Sequence, residues 1–155
     1  MQRFLRGQIW WSKPNAPVDI NSLTPKERNA LFGNIQQGIR PVIIVSNNTG
    51  NRNSQILQIV PCTTASKKPL PTHCTLYIGD KLNTVLCEQL TTIKKSDLYN
   101  YVGTVDANEM QELDNCLKIS LGLIKELPSY VEDKSFTDIL EKIKEWEEKK
   151  CQTQN

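Results

Sequence analysis

Ile39-Arg40-Pro41-Val42-Ile43-Ile44-Val45-Ser46 is crowded with Val and Ile. Their branched side chains suit a pleated, half-buried backbone better than a helix. Pro41 stands near the start of the run, where a strand tolerates a missing N–H. Asn47-Asn48-Thr49-Gly50-Asn51 follows and is a dense turn signal. Working outward, the same reading gives strands over residues 4–11, 55–62, 73–78 and 83–90, with Gly79-Asp80 between the last two and a loop at Lys67-Lys68-Pro69-Leu70-Pro71. Short strands at this spacing predict a small antiparallel barrel or sandwich. Trp10 and Trp11 alternate faces of the first strand, so at least one belongs to the core.

Helices take over after the strands. Ser96 is placed to cap a single turn. Asp106, with Glu109 three residues on, is an acidic variant of the capping box and opens a longer helix. Met110, Leu113, Leu117, Leu121 and Ile124 recur three or four apart and make one apolar face. Pro128 breaks the chain, and a last helix is predicted over residues 136–150, with Phe136, Ile139, Leu140, Ile143 and Trp146 on one stripe. The predicted organisation is a barrel domain over residues 1–124 and a helical extension over 125–155. Residues 12–38 form an irregular segment in which Thr24-Pro25-Lys26-Glu27 opens a short helix. A loop of that length in a compact domain is usually functional or mobile.

The 155 residues suffice for one domain. At 38% hydrophobic and 23% charged, with no block of like charge, the chain has the composition of a folded protein with a modest core. The longest apolar run is Val42 to Val45, far short of a bilayer span. Arg3 and Arg6 are followed by no apolar stretch, so no secretory leader is expected and a cytoplasmic location is. The net charge of +2 conceals an asymmetry: residues 1–105 hold 12 Lys and Arg against 5 Asp and Glu, and residues 106–155 hold 7 against 12. A basic body points to a polyanionic partner. Cys62, Cys74, Cys87, Cys116 and Cys151 are widely and irregularly spaced, which argues for buried thiols in a reducing compartment and against a disulfide framework or a zinc site. With His73 the only histidine, a multi-histidine metal site is excluded.

Six segments, in order, resemble the MazF/PemK toxins. They are Arg6-Gly7-Gln8-Ile9-Trp10-Trp11; Gly38-Ile39-Arg40-Pro41-Val42 through Asn47; Val60-Pro61-Cys62-Thr63-Thr64; Leu70-Pro71-Thr72-His73; Cys87-Glu88-Gln89-Leu90-Thr91-Thr92-Ile93; and Ile119-Ser120-Leu121. The resemblance implies a small SH3-like antiparallel barrel of the CcdB/MazF type, mainly β with helices, acting as a homodimer. It implies the toxin half of a type II toxin–antitoxin pair, a metal-independent, sequence-specific endoribonuclease on single-stranded RNA. The cognate antitoxin, acidic and DNA-binding, would insert an extended segment into the RNA groove. No cofactor and no metal are expected. Two alternatives come with the fold: a scaffold that binds RNA or protein without cutting, and a CcdB-like gyrase poison.

Cutting RNA without a metal uses the substrate's 2′-hydroxyl as nucleophile and leaves a 2′,3′-cyclic phosphate and a 5′-hydroxyl. A base must take the proton, and donors must hold the charge on the phosphoryl oxygens. The family's arginine carries onto Arg40, whose guanidinium is planar, always charged and bidentate toward phosphate. Its high pKa favours electrostatic stabilisation over acid catalysis. The family's threonine carries onto Thr63, a hydroxyl donor. The base is less defined. Where some members have Glu, this chain has Ile35; where others have Asp, it has Glu88. Glu88 is therefore a candidate base, with His73 and Glu27 behind it. Gln37, Arg52, Thr64, Lys67, Lys68 and Gln89 are expected to bind RNA, with Arg52, Lys67 and Lys68 in loops at one end of the barrel.

Overall fold

In a computed structural model, residues 2–12, 23–32 and 38–124 are described. The described residues fold into seven antiparallel strands, the expected β-branched runs among them: β1 (Gln8–Ser12, shorter than the expected 4–11), β2 (Arg40–Ile44), β3 (Ile56–Thr63), β4 (His73–Ile78), β5 (Lys81–Leu86), and two that were not expected, β6 (Thr91–Lys94) and β7 (Leu98–Thr104). The sheet order is β4-β5-β3-β2-β1-β7, with β6 also paired to β3. One edge of β3 runs along β2. Its other edge is shared: Ile56 to Ile59 pair with Lys94 to Thr91 of β6, and Cys62 and Thr63 pair with Val85 and Thr84 of β5. Because β3 serves two partners on that edge, the sheet divides there and curls into a half-barrel.

Both faces of the curled sheet are apolar in the middle. One gathers Ile9, Ile43, Val45, Val60, Cys62, Val85, Cys87 and Val105 beneath Leu113, Cys116 and Leu117 of the helix α3 (Ala107–Ser120). The other gathers Trp10, Val42, Ile44, Leu57, Ile59 and Ile93, with Phe4 and Leu98 against them. Successive residues of β2 and β3 go to opposite cores, as strand alternation requires. Trp10 is 2% exposed and Trp11 38%, so the tandem tryptophans divide between core and surface.

The helix starts are legible in the sequence. The Asp106 carboxylate accepts from Glu109 N at 2.8 Å, and the Glu109 carboxylate accepts from Asp106 N at 2.8 Å. In the same way Thr24 and Glu27 cap α1 (Pro25–Phe32), with Pro25 at the first helical position. These hydrogen bonds to the ionised carboxylate hold Glu27 below the usual glutamate range.

Four expectations are corrected. Asn47 to Asn51 is not a turn: Asn47 caps a short helix, α2 (Asn48–Asn53), through its side chain to Gly50 N at 2.7 Å. The run 83–90 is not one strand; β5 ends at Leu86 and a 3₁₀ turn, Cys87–Gln89, leads into β6. The single turn expected at Ser96 is present as a 3₁₀ turn, Lys95–Asp97, but Lys94 caps it, and helices do not take over there: the chain goes on into β7, held by pairing with β1 across two register shifts. The stripe on α3 ends early, since Leu121 caps the helix and is 55% exposed. Most of residues 12–38, the extension 125–155 and its predicted helix lie outside the described residues.

Replacing Asp106 with Ala removes the half of its capping box in which the carboxylate accepts from Glu109 N, and leaves the bond from Asp106 N to the Glu109 carboxylate. Urea unfolding is expected to show a loss of about 1 kcal/mol, with Asp106→Asn recovering most of it.

Candidate active site

Arg40 opens β2 and Thr63 closes β3. The ladder between these strands pairs Val42 with Pro61, Ile43 with Val60 and Ile44 with Ile59. The same offset, carried two residues past the last rung, sets Arg40 opposite Thr63. Alternation puts both on the face of Val42, Ile44, Leu57 and Ile59, so they continue the second core outward at one end of the sheet. On the other side of Arg40, the β1 register places Ser12 directly opposite. Ser12 is 1% exposed and its hydroxyl has no hydrogen-bond partner among the described residues. No sequence signal singled out this serine; the β1–β2 register alone brings it to the arginine.

Thr63 is 8% exposed, and its Oγ1 accepts from Ala65 N at 3.1 Å. That bond turns the chain away from the sheet and fixes the hydroxyl oxygen. It also leaves the hydroxyl proton available to an incoming acceptor. Arg40 is half-buried, and desolvation lowers its pKa from the ordinary arginine value. A guanidinium titrates so high that it keeps its charge at any working pH. Gly38 sits beside it at φ +84°, and a Cβ there would lie 3.9 Å from Arg40 Nη2. The site therefore holds a desolvated fixed cation next to an oriented hydroxyl, a pairing suited to an oxyanion or a phosphodiester.

Glu88 stands elsewhere. Thr84 pairs with Thr63, and Glu88 lies four residues further along, in the 3₁₀ turn after β5. Its carboxylate meets His73 Nε2 at 3.0 Å and accepts from Thr72 Oγ1 at 3.2 Å. The LPTH and EQ segments are thus tied to each other at the base of the β4–β5 hairpin. Glu27 is bound to its own helix cap. Thr64, Lys67 and Lys68 follow directly from Thr63, with Thr64 and Lys68 exposed and Lys67 partly so. Gln89 is half-buried in the 3₁₀ turn. Gln37 and Ile35 lie outside the described residues.

Arg52 does not share an end with the two lysines. It belongs to α2, ahead of β3, whereas Lys67 and Lys68 follow the far end of that strand. The eight residues of β3 that lie between them span about 23 Å from end to end as extended chain. Arg52 instead lines a cavity of about 670 Å³ with Arg3, Phe4 and Lys95. The Arg-Gly opening motif is structural: Arg6 forms an ion pair with Asp114 of α3, and Gly7 takes φ +87° close against Val105.

The thiols are brought together more than their spacing suggested. Sγ of Cys74, Cys87 and Cys116 lie within 4.8 Å of one another. Hydrogen bonding within this trio pushes Cys74 up to about 12 and favours the charged form at Cys116. Burial raises the Cys62 thiol.

Residues 5–121 match a family model described as PemK-like, MazF-like toxin of type II toxin-antitoxin system. The chain is 38% identical over 96 residues to the endoribonuclease MazF of Staphylococcus epidermidis, covering 59% of this chain and 80% of that one. Among solved structures, it is similar to an endoribonuclease in complex with its cognate antitoxin from Mycobacterial species, at 25% identity, TM-score 0.58, and coverage of 79% and 98%. It also shares its fold with MazF from Deinococcus radiodurans, at 21% identity, TM-score 0.60, and coverage of 79% and 99%.

Thr63→Val leaves Ala65 N without its acceptor. Chemical denaturation is expected to show a loss of about 1 kcal/mol, while Thr63→Ser, which keeps the oxygen, stays close to the parent.

Proposed function

The chain belongs to the PemK-like, MazF-like toxin family of type II toxin–antitoxin systems, and on that premise we propose that it is an endoribonuclease toxin whose Arg40 and Thr63 act together on one scissile phosphodiester of single-stranded RNA. The observation that carries this reading is the β2–β3 register, which sets a half-buried guanidinium opposite an oriented hydroxyl on one face. The substrate's 2′-oxygen attacks phosphorus, the 5′-oxygen leaves, and the products are a 2′,3′-cyclic phosphate and a 5′-hydroxyl. Arg40 holds the non-bridging oxygens as their charge grows, and Thr63 donates to one of them. Both groups are placed by strands, so little reorganisation accompanies the reaction.

Lys67 and Lys68 leave the site on the loop after Thr63 and hold the RNA backbone as point charges. The same cationic face suits the acidic segment of an antitoxin, in line with the antitoxin complex of the mycobacterial relative. Glu88 is bonded to His73 and Thr72 at the hairpin base, apart from the Arg40 and Thr63 of its own copy. A second copy of the chain, placed across the groove, brings its own His73–Glu88 pair as the candidate base. Function as a cytoplasmic homodimer belongs to this proposal. No helix among the described residues is long and apolar enough to cross a membrane.

Pure protein incubated with long single-stranded RNA in chelator is expected to give discrete fragments with 5′-hydroxyl ends. Undegraded RNA, or 5′-phosphate ends, overturns the reading. Arg40→Ala is expected to lower the cleavage rate by ~10²-fold or more with an unchanged circular dichroism spectrum. Arg6→Ala, which breaks only the ion pair to α3, should cut at the parental rate.

Replacing Lys67 and Lys68 together by Ala is expected to weaken RNA binding and to flatten its dependence on salt by about one to two phosphate contacts. Arg52→Ala, on the far end of β3, should leave that slope as it was.

A further inference from the structure

Three thiols that share no sequence motif converge beneath α3. Cys74 is the second residue of β4, Cys87 begins the 3₁₀ turn after β5, and Cys116 lies in the last half of α3. Their sulfurs are mutually within 4.8 Å. We propose that Cys74, Cys87 and Cys116 form a structural site for Zn2+ that clamps α3 onto the base of the β4–β5 hairpin. The site goes beyond the nuclease reading: it lies on the face opposite Arg40 and Thr63, although Cys74 and Cys87 are chain neighbours of His73 and Glu88. Cys62, in the α3-side core, is followed by Thr63, which points to the opposite face.

The geometry fits the ion. Tetrahedral Zn2+ binds thiolate at about 2.3 Å, which sets neighbouring sulfurs about 3.8 Å apart. Reaching that spacing from within 4.8 Å takes side-chain rotation of roughly an ångström or less. The supporting backbone is already fixed. Cys87 N donates to Thr72 O at 3.1 Å, Ser120 Oγ donates to Cys87 O at 3.2 Å, and Cys74 pairs with Val85 in the ladder. Cys87 Sγ approaches Leu113 O of α3 at 3.9 Å. Sites on helices and strands hold their ligands more tightly than sites on loops.

The ligand chemistry selects the metal class. Three sulfurs with no oxygen ligand disfavour Mg2+ and Ca2+ and suit a thiophilic ion. Cys87 and Cys116 are buried and Cys74 is partly exposed, and a water molecule would complete the tetrahedron. Binding requires all three sulfurs as thiolates and moves the protons of those still protonated to solvent. The assembled site carries one net negative charge. Simple packing of thiols as small apolar side chains is the competing account. Against it, Cys62 is buried in the same core but lies outside the 4.8 Å cluster, so burial in this core does not by itself bring a sulfur into the trio.

The test uses the full chain, purified under reductant, stripped with chelator, and titrated with Co2+ and then Zn2+. The expected result is one Co2+ per chain with thiolate-to-cobalt charge-transfer and tetrahedral d–d bands, displaced by Zn2+, and a melting temperature raised by Zn2+. Cys116→Ser and Cys87→Ser should weaken binding by more than about tenfold, and Cys62→Ser should not. Since a buried substitution can unfold the chain, X-ray absorption on the zinc-loaded parent protein supplies a reading without variants: three sulfur neighbours are expected. No stoichiometric metal, a shell of nitrogen and oxygen only, or undiminished binding by Cys116→Ser overturns the proposal. RNA cleavage in chelator is scored separately, so failure of either proposal leaves the other standing.

Discussion

The pairing of β2 with β3 is the constraint from which the rest of the molecule follows. It sends Ile43 and Val60 to one core and Val42, Ile44 and Ile59 to the other. A slip of one residue would exchange the two sets and bring Arg40 and Thr63 onto different faces. The apolar burial that fixes this register is therefore the same force that aligns the guanidinium with the hydroxyl. Stability and site geometry cannot be varied independently at these strands, because each side chain in the pair sits at the end of a buried row.

The two faces of the sheet carry different duties. On one, the row Ser12, Arg40, Thr63 extends an apolar core to the surface and ends in polar groups. A cation placed this way is partly desolvated, which strengthens its field at short range. On the other face, α3 covers the core, and its attachment is distributed over the Asp106–Glu109 cap, the Arg6 ion pair to Asp114, and the thiols against Cys87. The opening Arg-Gly motif and the long helix are thus parts of one fastening. Gly7 must accept φ +87° and close approach to Val105 for Arg6 to reach the helix.

The carboxylates explain why a base was hard to find. Glu27 and Glu109 close helix caps, Asp114 meets Arg6, and Glu88 meets His73 and Thr72. Each is held by a local partner on its own element or on the adjacent one. The Arg40–Thr63 pair itself presents a half-buried guanidinium and a hydroxyl on one face.

Much of the fold was legible in the residues. Branched runs marked β2, β3 and β4, the capping boxes marked the starts of α1 and α3, and ordered short motifs marked the family. These are local signals, set by side-chain shape and by hydrogen bonds three residues apart. The strand β7 was missed because Leu98–Thr104 is largely exposed and draws its order from β1, a partner some ninety residues away. Asn47 misled because one asparagine side chain serves a turn or a helix cap equally well. Position in space was beyond the sequence: Arg52 fell at the far end from Lys67, Ser12 came opposite Arg40, and thiols at 74, 87 and 116 met under one helix. The sequence by itself determined the family motifs, the branched strands and the helix caps. Only the tertiary structure decided which of them meet, because sheet register and helix docking depend on contacts between segments that no local pattern encodes.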